Sequence, residues 1–292
     1  MYEKISCCPI CEGTSFTNEM ICEDHSTSHE QFVIARCQQC NFLFTNPRPE
    51  TSQLDNYYNA ETYISHNNKS NTLVNTLYKT VRYFTLRSKE RLIKKWGNTN
   101  KTLLDYGCGT GHFLSHCQTK GWTIAGLEPN HIARKIANSN TGQKVFENIK
   151  DVPGKYQVIT LWHVLEHVPD LNQTISELTG KLEKSGTLII AVPNPESWDA
   201  KHYKSFWAGY DVPRHLYHFS QSTVKQLLKK HHLKVKKTLP MKLDSYYVSM
   251  LSEKYKNNST NYIQSIINGY KSNRYAQKNH NNYSSLIYIL QK

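Results

Sequence analysis

Three glycines at alternate positions, Gly107, Gly109 and Gly111, follow Asp105 at the end of the apolar run Leu103-Leu104. Glycine lets a backbone bend tightly and approach a ligand where a Cβ would collide, and amide N–H groups at a new helix start face a polar or anionic group. The stretch has the makings of a nucleotide cradle. A second set lies in the first 40 residues, where Cys8-Pro9-Ile10-Cys11 and Cys37-Gln38-Gln39-Cys40 form two Cys-x-x-Cys pairs. Two such knuckles complete a tetrahedral four-thiolate site, the geometry of structural Zn²⁺. Cys7, Cys22 and His25 are the other groups able to take one place. Disulfides are the alternative, and a reducing cytoplasm argues against them. A four-thiolate site has no open position, so the metal holds a fold and does not catalyse. About 45 residues make too small a core alone, and metal binding supplies on the order of 10 kcal/mol.

The third set is richer in titratable groups. Trp207 to Ser220 contains Tyr210, Asp211, Arg214, His215, Tyr217 and His218, and His163-Val164-Leu165-Glu166-His167 precedes it in the chain. Histidine takes a proton near neutral pH, so this is where a general base is sought. His215 is the first choice, with His218, His163 and His167 behind it.

The elements that must carry these groups alternate strand and helix. Lys101 to Tyr106 reads as a buried strand handing the chain to a helix near Gly111. Trp122 to Glu128 is a second strand, and Glu128 stands 17 residues after Gly111, where a Rossmann-like sheet places a carboxylate for both ribose hydroxyls. Pro129-Asn130 then starts a helix. Lys144 to Phe146 is a weak third strand, Tyr156 to Trp162 a fourth, Leu188 to Val192 a fifth and Leu233 to Thr238 a sixth. Ser284 to Leu290 is the last, read as antiparallel. Leu73, Leu77, Val81, Phe84, Leu92 and Trp96 recur at helical spacing, from a cap at Ser70 or Asn71 to Gly97. Tyr63 ahead of it is a candidate to lie over cofactor or substrate. A short hairpin within 21–36 joins the knuckles, and the helices Tyr246 to Tyr255 and Tyr262 to Tyr270 form an insertion. The expected division is 1–47 for the cysteine module, 48–97 for linker and packing helix, 98–240 for the ligand-binding core, and 241–292 for helical insertion and last strand.

The formal charge is +13, with 38% hydrophobic residues. No apolar run approaches membrane-spanning length and residues 1–8 are no signal peptide, so the expected location is cytoplasmic with no membrane span. The charge keeps nucleic acid among the partners, although a solvated face is favoured because the lysines are scattered or cluster over 225–237.

The pattern Asp-x-Gly-x-Gly-x-Gly differs from both the dinucleotide fingerprint and the phosphate-binding loop. It resembles the first motif of class I S-adenosylmethionine-dependent methyltransferases, and residues from about 100 to 240 resemble their core. Leu165-Glu166-His167 narrows the likeness to the type 11/23 group that includes ubiquinone-type O-methyltransferases and sugar C-methyltransferases. The latter share the four-cysteine start, but carry a carboxyl-terminal domain for which this sequence ends too early.

The resemblance implies an α/β fold, a Rossmann-like seven-stranded methyltransferase sheet with a small N-terminal zinc-ribbon-like module. It implies S-adenosylmethionine contacts at Asp105, Gly107, Cys108, Gly109, Gly111, Glu128, Pro129, Asn148, Leu161, Trp162 and His163, with Trp162 and His163 beside the methionine half. Asn148 stands where many relatives carry an Asp for the adenine amine, and Gln157 where they carry another Asp. Sugar C-methyltransferases place an acidic residue before the histidine base. Here Arg214 precedes His215, which suits an anionic acceptor. Glu166 and His167 match residues thought to hold a divalent ion in quinone-type relatives. Absence of Asn-Pro-Pro-Tyr after the fourth strand argues against methylation of exocyclic or glutamine amide nitrogens. The expected activity is methyl transfer to a small or carrier-linked hydroxylated acceptor, sugar or nucleotide-sugar before phenolic or quinone-like. An RNA methyltransferase and a non-catalytic cofactor-binding scaffold are the alternatives, and oligomeric state is left open.

Overall fold

The computed structural model describes residues 1–58, 73–97 and 100–292, with backbone alone over 73–81. Tyr63 and the helix cap at Ser70 or Asn71 lie outside the described residues, as do the side chains of Leu73, Leu77 and Val81. The chain divides into two compact units.

The first unit comprises residues 1–58, 163–174 and 190–289. Its strands are β1 (Tyr2–Glu3), β2 (Phe16–Glu23), β3 (Gln31–Cys37), β4 (Leu43–Thr45), β5 (Arg48–Pro49), β10 (Tyr217–His218) and β11 (Lys234–Pro240), with most of β12 (Ser285–Gln291). Four of them form a sheet of order β10-β4-β3-β2. The hairpin between the knuckles is longer than the sequence suggests: β2 and β3 pair antiparallel from Phe16↔Cys37 to Glu23↔Gln31. Their inward residues Cys22, Phe32 and Ile34 pack with Tyr203, Trp207 and Tyr210. The segment 207–220, where a general base is sought, is partly sheet, since Tyr217 pairs with Phe44 and His218 with Leu43. Helices α5 (Trp198–Tyr203), α6 (Gln221–Lys230), α7 (Asp244–Asn257) and α8 (Tyr262–Lys278) belong here. Ser220 caps α6 by accepting from the Thr223 amide, satisfying one of the amides a helix start leaves free.

The second unit comprises residues 59–162, 175–189 and 290–292. Helices α1 (Leu73–Trp96), α2 (His112–Gln118) and α3 (His131–Thr141), and α4 (Leu171–Lys181) from residue 175 onward, accompany β6 (Thr102–Tyr106), β7 (Thr123–Leu127), β8 (Tyr156–Trp162) and the first part of β9 (Leu182–Pro193). Strand β6 runs parallel to both neighbours, with Asp105 opposite Gly126 on β7 and Thr160 on β8. Leu103, Leu104, Val158, Ile159 and Leu161 are fully buried, as a strand covered on both faces requires. The expected third strand is reduced to one bridge, Leu127↔Phe146, with Phe146 donating to Gly126 and accepting from Glu128. Within this unit the sheet that holds β6 has the order β9-β8-β6-β7. Among the described residues, the third of the seven strands expected is therefore a bridge and not a named strand.

Candidate functional site

In the second unit, the turn after β6 is built on glycines with left-handed backbone: φ is 73° at Gly107, 54° at Gly109 and 76° at Gly111. A Cβ at Gly111 would lie 3.0 Å from Ala137 on α3, whereas one at Gly109 would meet nothing within 4 Å. Gly111 is thus demanded by packing, and Gly109 stands beside open space. Gly107 and Cys108 both donate to the Leu127 carbonyl, tying the turn to the end of β7. The carboxylate of Glu128 accepts from the Gly109 amide at 2.8 Å and from the Asn130 amide at 2.9 Å. Asn130 caps α3, its side chain accepting from Ile132 and Ala133, so the Pro129-Asn130 step fixes the carboxylate. The glycine turn and Glu128 therefore share one locality.

Asp105 is 3% exposed and accepts from the Thr160 hydroxyl at 2.6 Å. Burial raises its carboxyl to about 7 in spite of that bond, which fits an anchor for the turn. Cys108 is buried and its thiol is pushed up by burial, so it contributes its backbone. Trp162 at the end of β8 meets Phe113 edge-on, with ring centroids 5.8 Å apart. Its buried indole N–H finds no partner among the described residues. Lys89 on α1, not named from sequence, places its ammonium 4.4 Å from the Trp162 ring centroid. Leu161 is core, and Asn148 is exposed just before a short 3-10 turn. An open turn, a fixed carboxylate and an unsatisfied indole donor suit a nucleoside bearing a charged amino-acid arm.

In the first unit, Glu166 sits at the centre of a histidine cluster. It is fully buried, and neither carboxylate oxygen accepts a hydrogen bond from the described residues. His163 Nδ1 lies 3.4 Å away, an ion-pair distance without hydrogen-bond alignment, and His215 Nε2 lies at 4.0 Å. In spite of burial, these histidines hold the Glu166 carboxyl below the ordinary range, so it is ionised. Glu166, His167 and His215 each offer a ligand atom within 4.8 Å of the others, a set able to hold a divalent ion.

The four histidines proposed as bases separate by environment. Burial works against charge on His163, but Asp244 at 3.0 Å and Glu166 raise it to about 10. A ring already protonated cannot accept a proton, so His163 is not the base. Burial, then the neighbouring His215, lowers His167 to about 4, and its Nδ1 donates to the Arg214 carbonyl at 2.9 Å. Burial pushes His218 down to about 3. It lies in β10, with Nε2 3.4 Å from the Thr45 hydroxyl. His215 is distinguished by its contact. Its Nδ1 faces the Gly209 carbonyl at 2.9 Å, and since a carbonyl only accepts, the proton of the neutral ring sits on Nδ1 and Nε2 keeps a lone pair.

Arg214 corrects the expectation of an anion-binding residue. Its guanidinium donates to both carboxylate oxygens of Asp211, to Asp24 at 3.0 Å and to the Tyr57 carbonyl at 3.0 Å. Asp24 is itself completely buried and accepts from the amides of Ser26, Thr27 and Ser28. The arginine thus holds a turn at residue 24, with four of its five N–H groups engaged within the protein. Asp211 faces His215, and Asp244, not singled out from sequence, faces His163.

The four cysteine sulfurs converge, with Cys8 Sγ 3.6 Å from Cys40 Sγ and Cys11 Sγ 3.5 Å from Cys37 Sγ. All four lie within 4.8 Å of one another, close to the edge of about 3.8 Å that a tetrahedron of 2.3 Å Zn–S bonds requires. Cys7, Cys22 and His25 stand apart: the Cys7 thiol donates to the Glu12 carbonyl, Cys22 is in the hairpin core, and His25 stacks on Tyr255.

The charge on His163 has a measurable consequence. Its folded value lies above the ordinary unfolded value near 6.5, so its contribution to stability is complete below about 6.5 and is lost as pH rises through about 10. In an NMR titration the His163 ring should stay protonated across neutrality, and Asp244→Asn should bring its midpoint down. A wild-type midpoint near 6.5 would contradict the ion-pair geometry.

Residues 78–238 match the family model described as "Methyltransferase domain". The "Ubiquinone biosynthesis O-methyltransferase" of Sodalis glossinidius is 30% identical over 125 residues, covering 39% of this chain and 50% of that protein. The protein of the same name from Vibrio parahaemolyticus is 31% identical over 120 residues, 37% and 51% of the two chains. The chain therefore spans about half the length of the curated relatives it matches. Among solved structures, magnesium protoporphyrin IX methyltransferase from Synechocystis PCC 6803, crystallised with SAH, superposes with a TM-score of 0.55 at 15% identity, covering 83% of this chain and 100% of that one. That likeness is one of fold.

Proposed function

The chain belongs to the methyltransferase-domain family that residues 78–238 match, and from that premise we propose that it is an O-methyltransferase acting on a small hydroxylated acceptor, phenolic or quinol-like before sugar. It is an S-adenosylmethionine-dependent methyltransferase, and the cofactor supplies an activated methyl group for in-line displacement. Two considerations order the acceptors. The sugar reading rests on the four-cysteine start, and the part of it that gave Arg214 an anionic acceptor is weakened because that arginine is held by Asp24 and Asp211. The relatives named above are O-methyltransferases of ubiquinone biosynthesis.

The cofactor's ribose falls to Glu128, its methionine arm to the surroundings of Trp162 and Lys89, and its approach to the open side of Gly109. Zinc falls to Cys8, Cys11, Cys37 and Cys40. The observation that carries the chemistry is the 2.9 Å approach of His215 Nδ1 to the Gly209 carbonyl. With Nδ1–H held by Gly209, Nε2 accepts the hydroxyl proton of the acceptor, and the ionised, buried Glu166 stabilises the imidazolium that forms. General-base assistance is worth about 10²- to 10⁴-fold. His215→Gln should therefore lower kcat/KM by at least about 10²-fold on a phenolic acceptor, with cofactor affinity measured by calorimetry within about twofold of wild type. Full activity of the variant would remove the role given to His215.

A further inference from the structure

The hairpin of α7 and α8 is inside out. On α8 the buried positions are Ser265, Asn268, Gly269, Ser272, Asn273 and Ala276. Its large apolar side chains face outward: Tyr262, Ile263, Ile266, Ile267 and Tyr270 are 67, 75, 61, 41 and 55% exposed. These five lie within one face of a 3.6-residue helix. The partner helix matches this arrangement, burying Ser245, Ser249 and Ser252. A Cβ at Gly269 would fall 2.9 Å from the Tyr246 Cα, and Ser245 donates to the Gly269 carbonyl at 3.0 Å. Close backbone approach through small residues, with isoleucine outside, is how helices pack when their surroundings are apolar. In water the burial of a helix runs the other way.

Charge identifies what covers this face. Lys254, Lys256, Lys271, Arg274 and Lys278 are exposed on the hairpin. Its two acidic residues are turned inward: Asp244 pairs with His163, and Glu253 accepts from Tyr203 and Asn268. A second copy would set these cations against one another, whereas anionic headgroups complement them. No helix among the described residues is long and apolar enough to cross a membrane, and the 17 residues of α8 fit a helix lying in the interface plane. We propose that the α7–α8 hairpin docks on an anionic phospholipid surface, with Ile263, Ile266 and Ile267 entering the acyl boundary and Lys271 and Arg274 meeting phosphates.

Co-sedimentation of the full chain with vesicles tests this. Phosphatidylcholine containing about one third phosphatidylglycerol should bind at least about tenfold more protein than phosphatidylcholine alone, less so at high salt. The exposed triple variant Ile263→Ser/Ile266→Ser/Ile267→Ser should lose at least about tenfold in binding at unchanged circular dichroism. Lys271→Glu/Arg274→Glu should abolish the preference for phosphatidylglycerol. Protein left in the supernatant with both vesicles, or a triple variant that sediments like wild type, overturns the proposal. So does a dimer in the absence of lipid that the triple variant disperses, because a second copy would then be the occupant.

Discussion

Replacing Glu128 by alanine should weaken S-adenosylmethionine binding about a hundredfold. A carboxylate accepting both ribose hydroxyls makes two charge-assisted bonds worth about 1.5 to 3 kcal/mol each. Part of this is offset because the Gly109 and Asn130 amides now on Glu128 must find water, so the lower end, about 3 kcal/mol, is expected, or roughly 10² in Kd. Calorimetry of wild type, Glu128→Ala and Glu128→Gln measures it, with the glutamine intermediate because it keeps shape and loses charge. The melting temperature without cofactor separates binding from folding. An alanine variant that binds within about threefold of wild type would show that the ribose is held elsewhere, and the glycine turn alone would have to explain affinity.

Losing the metal should cost more. A structural four-cysteine site contributes on the order of 10 kcal/mol, comparable with the whole stability of a domain. Metal analysis should find zinc bound, and Cys37→Ser or exhaustive chelation should unfold the first unit. The damage should not stop at the knuckles: strand β4 pairs with both β3 and β10, so Tyr217 and His218 lose their sheet, and His215 its setting, when β3 detaches. Hydrogen exchange over 205–220 should therefore rise together with exchange over 8–45. Chelated protein with an unchanged melt and unchanged exchange would show that the four sulfurs meet without a metal.

What could be read from sequence was local. The glycine turn, Glu128 and the cysteine pairs depend on spacings under about 20 residues, and a chain that must turn or cap a helix writes those needs next to one another. The failures are pairings across the chain. Arg214 looked free for an anion because one of its two carboxylate partners, Asp24, is 190 residues away, and His163 looked like a base because Asp244 was invisible beside it. Phe146 reads as a strand by composition, yet makes one bridge because the chain turns into a 3-10 helix at Ile149. The helix positions of the α7–α8 hairpin were legible, but its orientation was not. Periodicity tells which residues share a face and leaves open which face is turned to water.

The Asp24–Arg214 pair and the Phe44↔Tyr217 register have a consequence for biosynthesis. Domains commonly fold as they leave the ribosome, amino-terminal part first. Here the amino-terminal sheet lacks its edge strand, and a buried carboxylate lacks its counter-ion, until more than 210 residues have been made. The outer edge of β4 and the turn at residue 24 must wait for a distant part of the same polypeptide, which makes the order of translation and the order of folding different things in this protein.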